Sequence, residues 1–180
     1  MAGPASLLEN LLSWGKSQMQ GYKPVIETFD IYPNVEETLQ LLSSATREKN
    51  ITIENHIGPE TFITADVNMT NIVLRNLLHN AIKYTPYNGT IRLNTTSTHD
   101  RVAISVVDSG KGCPPEVVRN INHADTINTS ETTPGTAQER GTGLGLLLAK
   151  TFMKQMGGDI KVASEPGNGS MFTVTLPVKN

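Results

Sequence analysis

The stretch Arg75–Thr85, RNLLHNAIKYT, decides how the rest of the chain is read. It lies within an apolar helical pattern, with Val73, Leu77 and Ala81 recurring every four residues towards a core. Yet it carries two asparagines, which are indifferent helix formers because their side chains compete for backbone groups. Asn76, Asn80, Lys83 and Tyr84 fall at i, i+4, i+7 and i+8, so they share a second stripe of the same helix. A polar edge facing water is the plain reading of that stripe. The chemical reading is that an asparagine carbonyl suits a hard cation such as Mg²⁺, lysine suits phosphate, and tyrosine offers a flat face to a base.

Two glycine-rich stretches bear on the choice. Val106–Gly112, VVDSGKG, is a strand running into Asp-x-Gly-x-Gly. A carboxylate at a strand end can accept from an exocyclic amine such as that of adenine, and glycines let the backbone come close to a flat ligand. Gly141–Leu146, GTGLGL, opens a helix, with Arg140 just upstream. Free N–H groups at a helix start form a ready anion site. The stretch lacks the Gly-Lys-Ser/Thr of a Walker loop, and its spacing is not that of a dinucleotide fingerprint. Each stretch alone is also explained as a turn or a helix start without a ligand.

Outward from these, the chain reads as one cored domain with a short appendage. It has 180 residues, 37% hydrophobic and 18% charged, with a net charge of −2, which gives no general pull towards nucleic acid or anionic membrane. One cysteine, Cys113, excludes an internal disulfide and suits a reducing, cytoplasmic setting. The longest apolar run, Leu144–Ala149, is far short of a bilayer span. MAGPAS reads as a tag remnant, and Ser6–Gln20 as an amphipathic helix that packs on the domain or ends a bundle arm. The pattern then predicts a strand over Val25–Ile31 and a helix over Asn34–Lys49 capped by Asn34. Strands follow over Ile51–His56 and Thr61–Ala65, then a helix capped by Asp66 and reaching Tyr84. After the turn PYNG, a hairpin runs over Thr90–Thr96 and Arg101–Val107. A short helix over Pro114–Asn120 precedes the Thr-rich segment Ile121–Arg140, too long for an idle loop. The helix Gly143–Met156 stops at Gly157-Gly158, and a hairpin over Asp159–Ser164 and Ser170–Val178 closes the chain. Strands and helices in this order predict an α+β fold: a two-layer sandwich whose mixed, mostly antiparallel sheet is covered on one face by helices.

The three stretches, with the closing GGDIKVASEPGNGSMFTVTLP, resemble the catalytic, ATP-binding domain of sensor histidine kinases, within the superfamily that includes gyrase. The resemblance covers about Val25–Asn180, and the N-terminal SLLENLLSWGKSQ looks like the end of a dimerisation and phosphotransfer helix. It implies a Bergerat-type fold in residues 21–180, with residues 1–20 as appendage and an ATP lid over about 121–140. It implies ATP and Mg²⁺ as ligands, with Asn80 on the metal, Asn76 beside it and Lys83 reaching the phosphates. Tyr84 would flank the adenine, Asp108 would hold its amino group, and Gly110 and Gly112 would shape the pocket floor. Ser170 would support adenine through water, while Arg140, Gly141, Thr142, Gly143, Leu144 and Gly145 would surround the phosphates.

The implied acceptor is a histidine on the phosphotransfer domain of the same parent, with a response regulator's receiver domain served indirectly. The parent is expected at the bacterial inner membrane and this piece to be monomeric. None of His56, His79, His99 and His123 lies in an acceptor context, so nucleotide binding without efficient self-phosphorylation is expected. No phenylalanine box is evident in INHADTINTS, and Cys113 stands where an aliphatic residue is usual and reads as a small buried filler. A gyrase-type hydrolase would carry a glutamate four residues before the metal asparagine; here that position is Asn76, which is no general base. A related kinase acting on serine, which fits the second glycine stretch and the N-terminal helix less well, and a non-catalytic nucleotide-binding or partner-docking module are the remaining alternatives.

Overall fold

The computed structural model describes residues 23–123 and 144–178. The expected N-terminal helix, most of the lid, and Arg140, Gly141, Thr142 and Gly143 lie outside the described residues. Seven strands and five helices are described: β1 (Glu27–Asp30), α1 (Tyr32–Leu41), α2 (Ser43–Glu48), β2 (Thr52–Asn55), β3 (Phe62–Ala65), α3 (Val67–Tyr84), β4 (Thr90–Ser97), β5 (Arg101–Asp108), α4 (Pro115–His123), α5 (Leu144–Gln155), β6 (Asp159–Ser164) and β7 (Ser170–Pro177). Five strands form one sheet in the order β2-β4-β5-β7-β6, and β1 pairs with β3 as a separate ribbon. Only β2–β4 is parallel within the large sheet; the other pairs are antiparallel. The expected mixed, mostly antiparallel sheet packed against helices is therefore what the chain forms.

Alternation along the strands explains which face is covered. On β5, Val102, Ile104 and Val106 are buried while the residues between them are partly open. On β7 the buried set is Phe172, Val174 and Leu176, and the register sets Val106 against Phe172 and Ile104 against Val174. Ile91 and Leu93 of β4, and Ile160 and Val162 of β6, extend that layer. The helices close it from one side: Met69, Val73, Leu74, Leu77, Leu78 and Ala81 of α3 are almost fully buried, as are Leu148, Ala149, Phe152 and Met153 of α5. Burying side chains of this kind contributes about 1.5–3 kcal/mol each before entropy is counted.

Local chemistry sets the element ends. Asp66 caps α3 as expected, its Oδ1 accepting from Met69 N at 3.0 Å. Gly157 ends α5 in the left-handed region, φ +73°, and Gly158 N donates back to Met153 O. Beside shifts of one or two residues at strand ends, three helix boundaries differ informatively from the sequence reading. The predicted Asn34–Lys49 helix begins two residues earlier, with Pro33 in its first turn, and it breaks at Leu42. The expected cap, Asn34, instead donates its amide to Asn71 Oδ1 and ties α1 to α3. Beyond Leu42 the Ser43 carbonyl serves the Thr46 hydroxyl and the Arg47 guanidinium, the side-chain competition that interrupts helices. Finally, α4 runs to His123, so Ile121–His123, assigned to the lid, are helical. Asn122 explains it: its amide donates to Val162 O and its carbonyl accepts Val162 N, fastening the helix end along the edge of β6.

Candidate functional site

The buried ladder on β5 and β7 ends in a polar pair. Two residues beyond Val106 and two before Phe172, Asp108 sits opposite Ser170, in the slot where alternation calls for an apolar side chain. Both are buried. The Asp108 carboxylate accepts from Gly110 N at 2.8 Å and from the backbone N–H of Ser170. Burial outweighs these two hydrogen bonds and raises its pKa from an ordinary 3.8 to about 6. A buried carboxylate is costly unless it is paired and hydrogen-bonded, and here two backbone N–H groups offset only part of that cost.

The loop after Asp108 is built for close approach. A Cβ on Gly110 would stand 2.5 Å from both Asp108 Oδ1 and the Tyr84 carbonyl oxygen, so the loop lies directly against the end of α3. Gly112 adopts φ +69°, and a Cβ there would run into the Glu165 carbonyl. Gly167 N donates to Lys111 O at 2.8 Å, locking the β6–β7 turn to the same loop. Ser164, paired with Ser170 in the register, completes this lock: it takes Cys113 N at 2.8 Å, donates to Gly169 O at 2.8 Å, and lies 3.0 Å from Ser170 Oγ. The sequence reading missed Ser164; the signal was a second serine at a strand end directly across from Ser170. Cys113 is only half-buried, 3.9 Å from the Ser170 hydroxyl, and so is not the buried filler expected of it.

The asparagine stripe of α3 meets the start of α5. A Cβ on Gly145 would lie 2.6 Å from Asn76 Oδ1, so the two helices touch there because residue 145 has no side chain. Asn76 donates its amide N–H to Ile72 O at 2.9 Å, which turns its carbonyl oxygen towards α5. One turn on, Asn80 is half-buried and its side chain makes no hydrogen bond among the described residues, so its amide oxygen is available to a ligand. At the end of the helix Lys83 is buried, with Nζ donating to the Tyr84 hydroxyl at 3.0 Å. Both Lys83 Nζ, at 4.6 Å, and Lys111 Nζ, at 5.2 Å, stand over the Tyr84 ring. A planar ligand flanking Tyr84 therefore shares that ring with two ammonium groups, which the sequence did not reveal.

Two sets of the expected residues are thus brought into contact: Asn76 with Gly145 between α3 and α5, and Tyr84, Asp108, Gly110 and Ser170 where the end of α3 meets the ends of β5 and β7, with Lys83 bonded to Tyr84. Among the described residues no group of three or more His, Cys, Asp or Glu could cage a metal. A single amide oxygen from Asn80 still fits Mg²⁺, which keeps most of its waters and binds through one or two protein oxygens plus substrate phosphates.

Residues 65–180 match the family described as histidine kinase-, DNA gyrase B- and HSP90-like ATPases. The chain belongs to that family. Among relatives of this family it is 31% identical to sporulation kinase C of Bacillus subtilis over 97% of its own length, and 33% identical to the sensor histidine kinase ZraS of Escherichia coli over 99%. It spans only 38% and 37% of those two proteins. Among solved structures, the nucleotide-free catalytic domain of the histidine kinase ThkA superposes with a TM-score of 0.69 at 27% identity, covering 84% of this chain and 97% of that one. Full-length ShkA in complex with AMPPNP superposes at 0.77 with 28% identity, covering 96% of this chain and 35% of that one.

Proposed function

We propose that this chain is the ATP-binding catalytic portion of a two-component sensor histidine kinase. It would transfer the γ-phosphoryl group of ATP to a histidine on a phosphotransfer and dimerisation domain of the same parent protein. The observation that carries the choice of acceptor is Asn76. A hydrolase needs a base one turn before the metal asparagine; here a neutral amide fills that place, donating to Ile72 O and set against Gly145. A neutral amide leaves water unactivated and fits transfer to an acceptor that brings its own nucleophile.

The residues then divide the work. Asp108 accepts a hydrogen bond from the exocyclic amine of adenine, within a floor of Gly110 and Gly112 and with Ser170 beside it. Asn80 supplies its oxygen to Mg²⁺, which when bound offsets charge on the phosphate oxygens. Asn76 lies next to it, and Lys83 carries fixed positive charge to the same end. The first turn of α5, from Leu144 and Gly145, presents backbone N–H groups to the phosphates, and the role of Arg140, Gly141, Thr142 and Gly143 beside them rests on the sequence motif alone. Positioning and charge neutralisation are most of what phosphoryl transfer asks of a protein.

The parent would be anchored in the bacterial inner membrane, pass phosphate on to a receiver domain, and have no business with nucleic acid. Among the described residues no helix is long and apolar enough to cross a membrane. The deciding experiment mixes this chain with a separate phosphotransfer domain and γ-labelled ATP. Acid-labile, base-stable label should appear on the partner, and Asn80→Ala should lower it about 100-fold or more. Release of labelled inorganic phosphate without partner labelling would favour a hydrolase, and absence of Mg²⁺-dependent nucleotide binding would remove both readings.

A further inference from the structure

Behind the nucleotide face of α3 stands a buried lysine with no part in the chemistry above. Lys49 follows α2 and is 5% exposed. Its Nζ donates to three carbonyl oxygens at the end of α3: Ile82 O at 2.9 Å, Lys83 O at 3.1 Å and Thr85 O at 3.4 Å. The last carbonyls of a helix have no intrahelical partner and carry the negative end of its dipole, so an ammonium there is favoured on both counts. The same segment holds the turn that follows: Asn88 N donates to Lys49 O, Asn50 donates its amide to Asn88 Oδ1, and Thr52 N donates to Gly89 O.

We infer that Lys49 is a positioning residue of the nucleotide site, fixing from behind the turn that aims Lys83 and Tyr84. This rests on the proposal that the site binds ATP. The coupling is short: Lys49 holds the carbonyl of Lys83 itself, and Lys83 Nζ is bonded to the Tyr84 hydroxyl. On the other side, Lys111 N donates to Tyr84 O, so the turn is held between Lys49 and the loop after Asp108. Deleting the ammonium leaves three buried carbonyls to find water or shift, and the shift moves the two side chains on that turn.

The test is a double-mutant cycle read by equilibrium binding of a non-hydrolysable ATP analogue with Mg²⁺. Lys49→Met keeps the aliphatic stem and should weaken binding about tenfold in a chain that circular dichroism shows to be folded. In a Lys83→Ala/Tyr84→Ala background the same change should cost little more, because both side chains it positions are gone. In an Asp108→Asn background it should cost the full tenfold. Lys49→Arg, which keeps charge and donors, should recover most of the affinity. Binding within twofold of wild type in folded Lys49→Met overturns the inference, as does an equal loss with and without the Lys83 and Tyr84 side chains, since that is the pattern of a merely structural lysine. If the methionine variant does not fold, Lys49→Gln, which retains an amide donor, is read by the same criteria. A wild-type chain that fails to bind the analogue refutes the ATP-site proposal itself; a binding wild type with an indifferent Lys49 refutes only the positioning role.

Discussion

The two ends of the site are made of different materials. At the Asp108 end, position is set by sheet register and backbone: the carboxylate is held by the N–H groups of Gly110 and Ser170, and the loop is pinned by Gly112, Gly167 and Ser164. At the Asn80 end, position is set by side chains on two helices, with Asn76 against Gly145 and Asn80 open. The backbone of the first end is part of the core, and its tightly packed glycines cannot take a side chain without touching the fold. The second can change its chemistry with little cost in stability, and a hydrolase and a kinase would differ there.

The largest effect should follow from breaking the rigid end. Gly169 adopts φ +77°, and a Cβ on it would run into the Asp108 carbonyl oxygen, which belongs to a paired strand and has nowhere to go. Gly169→Ala combines left-handed strain with a backbone collision, together about 3 kcal/mol or more. Gly157 is its control: φ is +73°, but nothing lies within 4 Å of a Cβ there. Gly157→Ala should cost only the strain, about 1–2 kcal/mol. Thermal melts of the two variants measure the difference, and equal losses would show that the packing around Asp108 gives way more readily than its geometry implies.

Much of this contrast is legible in the sequence. The three stretches, the Asp66 cap and the succession of strands and helices along the chain could be read because periodicity, glycine and capping chemistry are local, whereas the parallel β2–β4 pairing and the separate β1–β3 ribbon could not. Lys49 could not, because a lysine after a polar helix looks like any solvated charge until a helix end 33 residues later is set over it. The two ammonium groups over Tyr84 were hidden for the same reason, since Lys111 reaches the ring only once the loop folds back on α3. The early end assigned to α4 had a related cause: Asn122 reads as a loop residue, but its side chain completes the edge of β6. Contacts across long sequence separation are what single-sequence patterns omit.

An intermediate effect should follow at Asp108 itself, and pH sharpens it. Burial raises this carboxyl from an ordinary 3.8 to about 6, so between those values the folded chain keeps a proton that the unfolded chain has released. Its contribution to the stability of the nucleotide-free protein is therefore fully present below about pH 4 and is lost as pH rises through about 6. Nucleotide binding should run the other way, because the ionised form is the better acceptor for an exocyclic N–H; affinity rises with pH through the same range. Asp108→Asn should weaken adenosine and the ATP analogue alike by about tenfold and flatten both pH curves around pH 6. Titrations between pH 5 and 8 check this, and an unchanged pH slope in the variant would move the adenine contact elsewhere.

The smallest change in stability belongs to Gly145, and it best separates the two ends. A Cβ here meets the Asn76 side chain, nearest its amide oxygen, which can rotate, whereas the Cβ of Gly169 meets backbone. Alanine also favours a helix over glycine by about 1 kcal/mol, so Gly145→Ala should melt within about 1 kcal/mol of wild type. Its effect should instead fall on the phosphates, because rotating Asn76 disturbs the surface beside Asn80 and widens the gap between α3 and α5. We expect the Mg²⁺–ATP analogue to lose about threefold to tenfold in affinity while adenosine binds unchanged, the inverse of the even loss expected for Asp108→Asn. Parallel calorimetric titrations of both ligands against both variants decide the matter. If Gly145→Ala weakens adenosine as much as the analogue, the ends are mechanically coupled, and the division between a backbone-built base site and a side-chain-built phosphate site fails.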